Sequence, residues 1–139
     1  ARANIQLENY TKIINIEALT LLEMAKQDII PAVSDYVAEL CANVAAKQAV
    51  NDSIPCNTER DLIMRLAEGN DKLSALIIRL EDILGDIDME EVVPASQAMA
   101  HEVIPVMEEM RHIIDGMEKI TSSEYWPYPT YFDLLYSVK

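Results

Sequence analysis

Residues 57–87 read NTERDLIMRLAEGNDKLSALIIRLEDILGDI. Within that stretch Leu62, Leu66, Gly69, Leu73, Leu76, Leu80, Ile83 and Ile87 follow one another at spacings alternating four and three. Such a seam keeps one apolar stripe on one side of a helix, the pattern of long helices packed nearly parallel or antiparallel. Thr58-x-x-Asp61 resembles a capping box with the shorter acid, so the helix is expected over about 58–84. Gly69 inside the seam costs about 1 kcal/mol relative to alanine. It marks either a close helix approach or a weak point.

The same alternation recurs downstream at Val92, Ser96, Met99, Val103, Val106, Met110, Ile113, Met117 and Ile120, predicting a helix over about 90–122. Pro94 suits its first turn, whereas Pro105 lies mid-pattern and predicts a kink. Only Gly85-Asp86-Ile87-Asp88-Met89 separates the two seams, a connection short enough to make the helices antiparallel neighbours. Each has roughly thirty residues and spans about 45 Å at about 1.5 Å per residue. Upstream, a helix is expected over about 6–50. Its stripe is Ile14, Leu21, Leu22, Ala25 and Ile29, resuming after Pro31 at Val33, Val37, Leu40 and Val44. Pro31 inside this pattern predicts a kink or a break, and Asn51-Asp52-Ser53-Ile54-Pro55 supplies turn chemistry at the end. The fold class is therefore all-α: an elongated antiparallel helical hairpin packed on a kinked N-terminal helix. The helical domain occupies 1–123 and an aromatic, proline-containing tail occupies 124–139. Helix one carries no third long seam, so some apolar faces are expected to stay exposed.

Composition narrows the function. The chain has 139 residues with 11 Lys+Arg against 24 Asp+Glu, a formal net charge of -13 and a pI near 4.4. A balance this acidic argues against nucleic acid and anionic membrane surfaces. Three glycines leave no room for a Gly-rich phosphate loop. The uninterrupted apolar runs are short, so no membrane span is expected, and no secretory signal is visible. The first residue is Ala rather than Met, and the chain is read as a piece of a longer protein. Cys41 and Cys56 form no CxxC, and are expected as free thiols. The Asn-x-Ser/Thr triplets at Asn9 and Asn51 are treated as chance. Residues 57–118 hold fifteen acids against five bases, so most of the charge sits on the hairpin. Six of the eight aromatic residues lie between positions 125 and 136.

Three constellations bear on chemistry. Glu109-x-x-His112 has the spacing of di-iron carboxylate ligands, but only one such pair exists; against the Val106, Met110, Ile113 seam both residues flank the core or point outward, and His101 lies on the outer face as well. A solvated charged face is the preferred reading, and no catalytic, cofactor-binding or metal residue is assigned. The acidic run Glu81, Asp82, Asp86, Asp88, Glu90 and Glu91 lacks the central glycine of a calcium loop and reads as a wet turn. Met99, Met110 and Met117 at heptad spacing read as core, the alternative being an adaptable groove for a partner helix. The tail is different. Pro127 and Pro129 forbid regular helix and favour an extended path. Tyr125, Trp126, Tyr128, Tyr131, Phe132, Leu134 and Leu135 offer a large apolar area with polar handles, suited to docking on the bundle or on a neighbouring subunit.

Two stretches carry a resemblance. One comprises Arg2-Ala3-Asn4-Ile5, Leu7-Glu8-Asn9-Tyr10, Ile14-Asn15-Ile16-Glu17-Ala18-Leu19, Met24-Ala25 and Ile30-Pro31-Ala32. The other is Glu124-Tyr125-Trp126-Pro127-Tyr128-Pro129-Thr130-Tyr131 with Asp133-Leu134-Leu135. Together they resemble the C-terminal region of type III glutamine synthetases, the long bacterial form. Phe132 stands where that family more often has glycine. The resemblance implies a parent enzyme that ligates ammonia to glutamate using ATP and Mg, in the cytoplasm, as a large ring-shaped homo-oligomer. The family's metal, nucleotide and ammonia residues belong to an upstream catalytic part and map onto no position here. The piece is thus expected to be a non-catalytic accessory domain without a cofactor of its own. Its expected partners are the upstream catalytic domain and neighbouring subunits, with no nucleic acid and no membrane. The alternative is a stand-alone helical adaptor binding a partner helix.

Overall fold

The structure, a computed structural model, describes residues 2–129 and is helical through most of them. Helix one comprises α1 (Arg2–Met24), a five-residue π-turn (Ala25–Ile29) and α2 (Ile30–Val50). The hairpin consists of α3 (Asn57–Asp86), then α4 (Val92–Ala98), a second π-turn (Met99–Val103) and α5 (Ile104–Glu118). Helix one therefore begins four residues earlier than expected, and the last helix ends four residues earlier. The capping box is not formed. The residue preceding α3 is Cys56, which provides no side-chain cap, and Thr58 lies inside the first turn.

Neither mid-pattern proline breaks its helix. At both, the residue just before proline donates its N–H five residues back rather than four: Ile30 to the Ala25 carbonyl, and Ile104 to the Met99 carbonyl. A proline in a helix interior lacks a donor, and its ring crowds the carbonyl four residues earlier. Widening the preceding turn by one residue relieves that crowding while the helix continues.

Three contacts fix the direction of helix one, which periodicity left open. Lys26 Nζ pairs with Glu81 Oε2 at 2.8 Å, Asn70 Nδ2 donates to the Ile30 carbonyl at 3.2 Å, and Lys47 pairs with Glu59. As helix one advances its partners on α3 recede, so the two are antiparallel. The hairpin then makes helix one parallel to α4 and α5, and α1 packs against α4. The Lys47–Glu59 pair holds the Glu59 carboxyl below its usual range and raises the lysine. The lysine is exposed, so the pair orients α2 on the start of α3 more than it stabilises it.

The core forms where the three helices meet. Ala18, Leu22, Ala25, Ile29 and Val33 from helix one face Leu66, Leu73 and Leu80 from α3, together with Met99, Val103, Met107 and Met110. Ser96, a polar member of the third seam, is buried because its hydroxyl donates to the Val93 carbonyl at 2.8 Å. Gly69 is a point of close approach: a Cβ there would lie 2.7 Å from Met117 Sδ and 2.9 Å from its Cγ.

One expectation needs correcting. By length and composition the helix Arg2–Val50 is long and apolar enough to cross a membrane, with mean hydropathy 1.3 in its most apolar window. Counting only uninterrupted apolar runs missed it. In this fold the same helix packs as a bundle member, with Lys26 paired to Glu81 and Asp28 to Tyr128.

Candidate functional site

The segment after α5 turns back on helix one. Thr121 Oγ1 donates to the Met117 carbonyl at 2.7 Å, closing the last turn. The amides of Tyr125 and Trp126 both donate to the Ser122 carbonyl, at 2.9 and 3.0 Å. This builds a compact turn rather than the extended path expected from the two prolines; bends follow at Pro127 and Tyr128.

Three aromatic side chains leave this turn toward helix one. The Tyr125 ring meets Tyr36 with centroids 5.3 Å apart at 41°, a tilted pair. Trp126 is buried, 8% exposed, and joins the main core. Tyr128 donates its hydroxyl to Asp28 Oδ2 at 2.5 Å. Asp28 lies in the first π-turn and Tyr36 two turns beyond it, so the segment straddles exposed Pro31. Tyr131, Phe132, Leu134 and Leu135 lie outside the described residues.

The electrostatics of this contact have a pH signature. Burial, followed by the hydrogen bond to Asp28, pushes the Tyr128 phenol up to about 12 from an ordinary value of 10.0. The docked state thus favours the neutral phenol. Its contribution is complete below about pH 10 and is lost as the pH rises from about 10 toward about 12. Trp126 emission should shift red across that window, and Tyr128→Phe should remove that component of the titration. The Glu39 carboxylate beside Tyr125 raises that phenol too.

The other candidates fall in different places. Glu109, His112 and His101 are exposed, and among the described residues no three His, Cys, Asp or Glu groups are placed to hold a metal together. Asp82, Asp86, Asp88 and Glu91 of the acidic run line a cleft of about 650 Å³ beside the hairpin turn, and every member of the run is exposed. Met99, Met110 and Met117 are interior, Met117 alone bordering a cleft of about 310 Å³ beside Gly69. Cys41 is exposed and Cys56 buried, both free.

One feature that pattern reading left unassigned is the outward side of α1. Ile5, Ile16 and Leu19 share a face, with Ile13 on its flank, and they are 60%, 62%, 51% and 55% exposed. The signal was present in the sequence: these residues fall off the Ile14, Leu21, Ala25 stripe and are nonetheless large and apolar.

Residues 1–48, which are α1 and nearly all of α2, match a family model described as the glutamine synthetase C-terminal domain. Over its full length the chain is 29% identical to a glutamine synthetase of Butyrivibrio fibrisolvens. Over 98% of its length it is 27% identical to the type-3 glutamine synthetase of Dictyostelium discoideum, and 25% identical to a glutamine synthetase of Bacteroides fragilis. It spans about one fifth of the length of each of these relatives.

Proposed function

We propose that this chain, which belongs to the C-terminal region of the glutamine synthetase family, is a non-catalytic packing domain that docks its first helix on the rest of a parent enzyme. The carrying observation is the exposed apolar face of α1. Ile5, Ile16 and Leu19 lie on the helix that matches the family model, and about four fifths of each relative's length lies outside the aligned segment. Apolar side chains of this size gain about 2 kcal/mol each on full burial. The helix bearing this face is also close to neutral, with Arg2 and Lys12 against Glu8, Glu17 and Glu23, whereas the hairpin carries most of the -13. The hairpin then serves as the solvated outer side.

The parent reaction, ATP-dependent ligation of ammonia to glutamate with Mg in a cytoplasmic homo-oligomer, belongs to the same proposal. The described residues do not fit ATP or Mg. The acids of the hairpin turn are exposed, and Gly85 and Gly116 are helical and have no positive φ. No step of the reaction is therefore assigned to this chain. The test is Ile5→Asp with Leu19→Asp in the full-length parent. Loss of the native assembly in sedimentation, with an unchanged far-UV spectrum for the isolated 1–139 chain, is the expected result. An assembly that keeps its size and its glutamine-forming activity would sink the proposal.

A further inference from the structure

We infer that the groove between the end of α3 and the start of α4 is a docking site for a basic amphipathic helix of another protein. The groove encloses about 650 Å³. Its α3 wall is Ala75, Ile78, Arg79, Asp82, Ile83 and Asp86, which recur at helical spacing and so share one side of that helix. This side is turned away from Asn70 and Glu81, by which α3 holds helix one. The α4 wall repeats the spacing with Glu91, Pro94, Ala95 and Ala98, and with Glu102 of the second π-turn. The small residues of that wall give the groove its depth, and Ile78 across from them is 58% exposed. From Ala75 to Asp86 the trough runs about 16 Å, or about three helical turns. A furrow between two antiparallel helices is a shape that a third helix fills, as helix one does on the other side of this hairpin.

Charge identifies the occupant. Asp82, Asp86, Asp88, Glu91 and Glu102 line the groove against Arg79 alone. All five acids are exposed, and among the described residues none of them belongs to an ion pair. Asp82 and Asp86, four apart on one helix face, repel each other. They stand near the C-terminal end of α3, whose last turn holds no basic residue, and the free carbonyls there deepen the negative potential. An apolar floor under an unneutralised acidic rim complements a helix with one aliphatic stripe flanked by Lys or Arg. A second copy of this chain, at -13, is repelled. A free polyamine would neutralise the rim and leave Ile78 and Pro94 wet. The inference does not rest on the docking of α1 to a parent enzyme, because the groove lies on the side of the hairpin away from helix one.

The probe is a fluorescein-labelled helical peptide about four turns long, made of leucine and lysine with the leucines in one stripe. Titrated into the 1–139 chain, it should shift the methyl signals of Ile78, Ile83 and Ile87 and leave those of Ile5 and Ile16 in place. A peptide of the same composition with its leucines scattered around the helix should bind about tenfold more weakly. Asp82→Asn with Asp86→Asn should weaken binding about tenfold and flatten its salt dependence. Ile78→Ser should weaken it about fivefold. Ile5→Asp with Leu19→Asp should leave it unchanged, which separates this site from the face of α1. Equal binding of the striped and scattered peptides would overturn the proposal, since the acids alone would then account for it. Shifts centred outside residues 75–102, or none at saturating peptide, would do the same. The shift map is read on the unsubstituted chain, so the outcome stands even where a variant fails to fold.

Discussion

Leu73→Ala is expected to lower the stability of the folded chain by about 3 kcal/mol and its melting temperature by about 10 °C. Leu73 is fully buried near the middle of α3, the helix that contacts both others. The adjacent residues Gly69 and Asn70 show how this is arranged. Gly69 lies under Met117 of α5, while Asn70 donates to the Ile30 carbonyl of helix one. Leu73 sits between those two directions, so its deletion opens a void that neither partner can fill alone. Extending the two directions seven residues along α3 reaches Leu76 on the α5 side and Ile77 on the helix-one side. Ile77 is 5% exposed, whereas Leu76 is half-buried. Ile77→Ala should therefore cost about 3 kcal/mol and Leu76→Ala about 1 kcal/mol. Chemical denaturation with unchanged m-values checks the ranking. Equal costs at the two positions would mean that α3 is packed chiefly against one neighbour.

That ranking shows what periodicity can and cannot convey. The alternation of four and three in α3 and in the last helix identified two long helices, their antiparallel pairing and most of their buried positions. It assumed a single facing helix, and so placed Leu76 in the seam and left Ile77 out. With two partners the buried stripe widens toward helix one. The prolines teach the same lesson at the level of the backbone. Pro31 and Pro105 signalled local trouble, but not that the preceding turn would widen instead of the helix breaking. A sequence cue existed, because a branched residue followed by Ile-Pro occurs both at Ile29-Ile30-Pro31 and at Val103-Ile104-Pro105. In both, the first of these residues is buried at the end of its π-turn. The aromatic segment was legible as a contact-making element from its composition alone. Its partners were not. Asp28 is one hundred residues from Tyr128, and to a helical-periodicity reading both Asp28 and Tyr36 fall off the core stripe.

Trp126→Ala should separate the docking of this segment from the stability of the bundle. Truncating a buried tryptophan costs about 3–5 kcal/mol where the whole fold must absorb it. Here the chain has a cheaper response. The turn is closed by its own Ser122 hydrogen bonds, and its attachment to helix one rests on Trp126, the Tyr125–Tyr36 ring pair and the Tyr128–Asp28 hydrogen bond. Once Trp126 is gone, the other two contacts must hold the segment against the entropy of ordering it. Those are an exposed hydrogen bond and one tilted ring pair, about 1 kcal/mol each. The segment should therefore detach locally while the helices stay folded, so that the cost shows as a shift in a local equilibrium. A loss of about 3 kcal/mol corresponds to roughly a hundredfold rise in the detached population. Chymotrypsin should cut after Tyr125 faster by about that factor. The near-UV signal of the tyrosines should collapse, and far-UV ellipticity should stay within a few per cent of the parent chain. Tyr36→Ala, made on the opposite surface, should give the same pattern in weaker form. A cooperative loss of helix in Trp126→Ala would show instead that the aromatic turn is part of the folding unit, and that a chain ending before it does not hold its bundle.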